Sequence, residues 1–202
     1  MKKKISESVK IKRTFFNMVK YVSAYTSSKD GIEEVDKECC AQLISSLCKS
    51  GLHAPALDFD FPIRATHETR ILKFEKDVLQ KEYFDLLDIL VELGITSEKF
   101  RSDMQNANMH THFAGCDCTM TYPLLEFAAE FKLVGSSTSG HFHLYIKKEM
   151  PWKQYVKLLT AFYKANLIQK NFYQISIEDQ MSLLFKPGIK KDKIKAKKIN
   201  ID

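Results

Sequence analysis

Two short stretches of this chain alternate strictly between apolar and polar side chains, and they limit its folding options more than any other feature. Leu57-Asp58-Phe59-Asp60-Phe61 is closed by Pro62, and His141-Phe142-His143-Leu144-Tyr145-Ile146 follows a loop of small residues from Gly135 to Gly140. Successive side chains of a β-strand point to opposite faces, so a period of two marks a half-buried strand. Leu57, Phe59 and Phe61 are assigned to a core, as are Phe142, Leu144 and Ile146. Asp58, Asp60, His141, His143 and Tyr145 are left on the opposite, wet face. A sheet with one apolar side needs a second layer to cover it.

Helical periodicity supplies that layer. Ile32, Val35, Cys39, Leu43 and Leu47 predict a helix over 30–51 with Gly51 as its C-cap. Leu79, Tyr83, Leu86, Leu87 and Leu90 predict a second over 77–93, with Gly94 at its end. Pro151 opens a third, whose apolar face carries Trp152, Tyr155, Leu158, Leu159 and Phe162. Residues 172–177 and 182–185 read as further strands, the latter ended by Pro187-Gly188. Residues 97–120 are polar and irregular and read as an inserted loop. The fold class is therefore α+β: one domain over 14–189, with an inserted helix-plus-loop segment at about 67–131. A basic arm, 1–13, and a basic tail, 190–202, flank it.

Hydrophobic residues make up 45% of the chain, enough to bury a core without an external staple. Cys39, Cys40, Cys48, Cys116 and Cys118 are odd in number and tightly clustered, so a reducing compartment is expected. Met1 to Glu7 is charged but leads into no apolar signal segment, and no stretch approaches the ~20 apolar residues that span a bilayer. The expectation is a cytoplasmic protein with no membrane association. The net charge is +6, with Lys190, Lys191, Lys193, Lys195, Lys197 and Lys198 in the tail. Such a run neutralises nucleic-acid phosphates or merely solubilises the chain, and charge alone does not choose between them.

Two carboxylates spaced two apart on a strand hold a divalent cation through oxygen, and Mg²⁺ or Mn²⁺ held this way commonly serves phosphate transfer. A histidine beside them ligates the metal or hydrogen-bonds a phosphate oxygen. The plainer reading is a half-exposed strand with polar residues on its wet face. The chemical reading requires the strands bearing Asp58 and His143 to be neighbours.

Asp58-Phe59-Asp60, followed by Ser139-Gly140-His141-Phe142-His143, resembles the first two motifs of the archaeo-eukaryotic primase and primase-polymerase superfamily. The resemblance implies an RRM-like, palm-type sheet backed by helices, with Asp58 and Asp60 as metal ligands and His143 on the nucleotide phosphates. It also implies substrate contacts from Ser139 and His141, and nucleotides and nucleic acid as partners. The segment from Ile177 to Gly188 is similar to a later family motif and nominates Asp179 as a third catalytic carboxylate. The family's own aspartate lies earlier, near Gln174. Arg64, Lys147, Lys148 and Lys186 are candidate phosphate contacts through their nearness to these motifs. His110, His112, Cys116 and Cys118 form a ligand set that suits Zn²⁺, in the place where such primases often carry a zinc-binding insertion. A single residue between paired ligands is shorter than the usual two to four, and a metal-free loop is the alternative.

Two other readings compete. His141-Phe142-His143 is similar to the His-hydrophobe-His motif of rolling-circle and relaxase endonucleases, in which a tyrosine cuts single strands; Tyr155 or Tyr163 would be that nucleophile. Both are also plausible core tyrosines. The third reading is a non-catalytic adaptor that binds a protein or nucleic acid through its aromatics and tail, since a fold outlives its activity.

Overall fold

Alternation and helical periodicity both reappear in the computed structural model, which describes residues 33–34, 43–65, 70–109, 118–136, 139–185 and 197–198. In chain order these form β1 (Glu33–Glu34), β2 (Leu43–Ser45), β3 (Ala56–Phe59), β4 (Ile63–Ala65), β5 (Ile71–Phe74) and β6 (Val78–Leu79). Then come α1 (Gln80–Glu92), α2 (Glu98–Met109), β7 (Thr119–Met120), β8 (Leu124–Glu126), β9 (Phe131–Gly135) and β10 (Phe142–Ile146). The series closes with α3 (Trp152–Lys164), α4 (Lys170–Glu178), β11 (Leu183–Phe185) and β12 (Lys197–Lys198). The architecture is α+β, and among the described residues every strand pairing is antiparallel.

The sheet that matters most has the order β3-β10-β9. Its register sets Phe142 opposite Phe59, His143 opposite Asp58, and Leu144 opposite Leu57. Leu57, Phe59 and Leu144 are fully buried on one side of the sheet, where α3 covers them. The Phe59 ring meets that of Phe162 on α3 at 5.9 Å, and those of Phe61 and Phe74 at 5.7 and 5.4 Å. Edge-on aromatic contacts of this kind add to the area they bury.

A second sheet, β4-β5-β8, begins directly after β3. It packs its buried Ile63, Leu72, Phe74 and Leu125 into the same core as Tyr83, Leu86, Leu87 and Leu90 of α1. The described residues of the segment expected as an insertion thus contribute to this core. Gly94 ends α1 in the left-handed region at φ 61°, its N–H bonded to the Val91 carbonyl. A Cβ here would come within 2.7 Å of Lys148 Nζ, which donates to the Gly94 carbonyl at 3.1 Å.

Several expectations are corrected. The helix over 30–51 fails where it is described: Leu43–Ser45 is a strand paired with β11, and Gly51 sits in a tight turn at φ 81°, its N–H bonded to the Cys48 carbonyl. Leu43 pairs with Phe185 and Leu47 bridges to His53, while Ile32, Val35 and Cys39 lie outside the described residues. Residues 172–177 are helical, because only a helix brings Tyr173, Ser176 and Ile177 to one side. There Tyr173 stacks on Tyr163 at 4.6 Å, and Ser176 Oγ accepts from Ser182 Oγ at 2.9 Å. The loop over 97–120 contains α2, capped by Ser97 Oγ, which accepts the Phe100 N–H at 3.1 Å. Leu79, expected on the apolar face of α1, precedes that helix and is exposed.

Candidate functional site

β3 and β10 are hydrogen-bonded neighbours, and their register places Asp58 and His143 directly abreast on the side away from α3. Directly opposed residues of an antiparallel pair share a face and bring their side chains together. His143 Nε2 lies 3.5 Å from Asp58 Oδ1. On the other side of the ring, Nδ1 lies 3.3 Å from the hydroxyl of Tyr145, two residues along the strand on the same face. The imidazole is therefore gripped between a phenol and a carboxylate.

This face is not open, as the alternation suggested. His143 is only 6% exposed, although the Asp58 side chain keeps 37% of its surface. Burial, with the Asp58 charge adding to it, pushes the Tyr145 phenol up to about 12, which keeps it protonated at neutral pH.

Asp60 lies just past the end of β3. Its carboxylate accepts a bond from Gln169 Nε2 at 2.8 Å and has Lys76 Nζ at 3.8 Å. Ser139 and Gly140 form the exposed turn of the β9–β10 hairpin, with Gly140 at φ 77°, and the Ser136 N–H closes it on the His141 carbonyl at 2.8 Å. His141 thus stands at the mouth of the hairpin and His143 one step inside it. Lys147 is ion-paired with Glu130, Lys148 is bonded to Gly94, and Arg64 is ion-paired with Glu75 on the neighbouring sheet. Asp179 is the C-cap of α4, its N–H bonded to the Ile175 carbonyl; the strand expected just before it is that helix.

Lys186, His110, His112 and Cys116 lie outside the described residues. Cys118 borders that region and is disulfide-bonded, so it has no thiolate to offer the zinc ion expected there. Among the described residues no group of three or more His, Cys, Asp or Glu side chains is arranged to hold a metal ion. Mg²⁺ in nucleotide enzymes commonly uses one or two carboxylates and completes its shell with water and substrate phosphates, so Asp58 with Asp60 is a donor set of suitable chemistry.

The two tyrosines of the endonuclease reading both lie on α3. Tyr155 is fully buried on the α3 side of the sheet, its hydroxyl 2.6 Å from Ser182 Oγ and 3.1 Å from the Ala56 carbonyl. Burial pushes that phenol up to about 12, away from a nucleophilic phenolate. Tyr163 is stacked flat on Tyr173. The group missed by sequence reasoning is Tyr145. Its signal was its place in the alternating run, two residues from His143 and on the same face.

No helix among the described residues is long and apolar enough to cross a membrane. Comparison with protein-family models, with curated proteins and with solved structures gives no match.

Proposed function

We propose that this chain is a metal-dependent nucleotidyltransferase acting on nucleic acid, of the primase-polymerase kind. The observation that carries the reading is the cross-strand pairing of Asp58 with His143, two motifs far apart in sequence set abreast on adjacent strands. An RRM-like core belongs to the same proposal, and the β3-β10-β9 sheet backed by α3 is compatible with it.

In this reading Asp58 and Asp60 would hold Mg²⁺ or Mn²⁺, whose chemistry there would be neutralisation of phosphate charge. His143 contributes a positioned N–H. In the tautomer in which Nδ1 accepts from the Tyr145 hydroxyl, Nε2 carries the N–H on the Asp58 side and would donate it as a hydrogen bond to a triphosphate oxygen. Ser139 and His141 at the hairpin mouth supply further polar groups to the substrate. Since the transfer asks little covalent chemistry of the protein, positioning and electrostatics are the whole task of these residues.

The test is Mn²⁺-dependent nucleotide incorporation on a primed or unprimed template by the full chain. Asp58→Ala combined with Asp60→Ala is expected to abolish incorporation while circular dichroism stays that of the parent. Equal activity in parent and double variant would remove the proposal and leave the adaptor reading.

A further inference from the structure

The outer face of the β4-β5-β8 sheet carries a row of groups that neither the core nor the Asp58 site uses. Burial of Leu72 and Phe74 turns the intervening Lys73 outward. The register sets Arg64 opposite Lys73, and Lys73 opposite Leu124, so the two cations stand side by side on one face. Tyr122, in the link between β7 and β8, lies beneath this row, with Lys73 Nζ 4.6 Å from its ring centroid.

Tyr122 adopts φ 58°, in the left-handed region that Asn166 and Gln180 also enter, and it is the aromatic residue among these three. It is also 48% exposed, whereas Tyr83 and Tyr155 are buried, Tyr163 and Tyr173 stack on each other, and Tyr145 serves His143. Arg64 has 75% of its side chain in solvent, where its ion pair with Glu75 is weak and a phosphate competes with it. The row also leads to the Asp58 site: β4 follows Asp60 across only Phe61 and Pro62, and Lys76 on the far side of β5 reaches back to Asp60.

We infer that this face binds single-stranded nucleic acid, stacking a base on the free side of Tyr122 and holding backbone phosphates on Lys73 and Arg64. An exposed ring flanked by cations is the arrangement that grips single strands without reading their sequence. The inference rests on the nucleotidyltransferase reading for its choice of a nucleic-acid partner, and gives that reading its template surface.

Fluorescence anisotropy of the full chain with labelled oligothymidylate, and with an abasic strand of equal length, tests it without metal or nucleotide. Tyr122→Ala is expected to weaken oligothymidylate binding about tenfold and to leave the abasic strand unaffected. Tyr122→Phe should bind like the parent, and Lys73→Glu should weaken both strands. The Asp58→Ala, Asp60→Ala variant should bind both as the parent does, so a lost activity and a lost strand surface are told apart. The inference is overturned if Tyr122→Ala binds oligothymidylate as the parent does, or if it loses both strands equally. It is overturned too if the parent binds neither strand, which would leave this face to a protein partner.

Discussion

Three buried or half-buried phenols give this chain a distinctive alkaline behaviour. Tyr145 and Tyr155 are pushed up to about 12, and Tyr83, desolvated in the core, is raised as well. An unfolded tyrosine ionises near 10. With the folded value above the unfolded one, the folded state keeps its protons longer, so this stabilisation is complete below about pH 10 and is lost as pH rises through 12. Phenolate absorbance followed alongside circular dichroism should show these three tyrosines ionising together with unfolding. In Tyr145→Phe one late-ionising phenol disappears. An early, fully reversible ionisation of all tyrosines in a folded chain would contradict this account.

At the level of elements, the helices differ in how plainly their sequence declares them. α1 and α3 each bury a stripe at i, i+3, i+4 and i+7 spacing, with Tyr83, Leu86, Leu87 and Leu90 on one and Tyr155, Leu158, Leu159 and Phe162 on the other. α2 has a thinner stripe, Phe100 and Met104, and its clearest signal is a start: Ser97 as N-cap followed by Glu98 in the first turn. Ser97→Ala should therefore lower stability by about 1 kcal/mol, measured by urea unfolding. An unchanged midpoint would mean that packing of Phe100, not the cap, holds α2. α4 reads as a strand because its run of Phe, Tyr and Ile favours one, and a preference of a few tenths of a kcal/mol is overridden by the packing of Tyr173 and Ser176.

Over the whole molecule, Phe59 is where the layers meet: it belongs to β3, touches Phe74 of the second sheet and faces Phe162 of α3. Phe59→Ala should cost about 3–5 kcal/mol, against a total that in most domains is only about 5–15 kcal/mol. Denaturant unfolding checks this, and a loss below about 1 kcal/mol would contradict the weight given to the Phe59 ring in holding the layers together. A buried hydroxyl network ties on the remaining layer: Tyr155 OH to Ser182 Oγ, with the Ser182 N–H bonded to Ser46 Oγ, joins α3 and β3 to the β2–β11 pair. From its sequence alone the chain declared β3, β10, α1 and α3 and the polar face on which Asp58 and His143 stand, because periodicity is written into neighbouring residues. Only the tertiary structure made β3 and β10 adjacent, chose the register that meets Asp58 with His143, buried that histidine against Tyr145, and turned 43–45 into a strand and 170–178 into a helix. Those choices depend on long-range pairing and burial, whose free energies exceed local preferences and involve residues too distant in the chain for any local pattern to record.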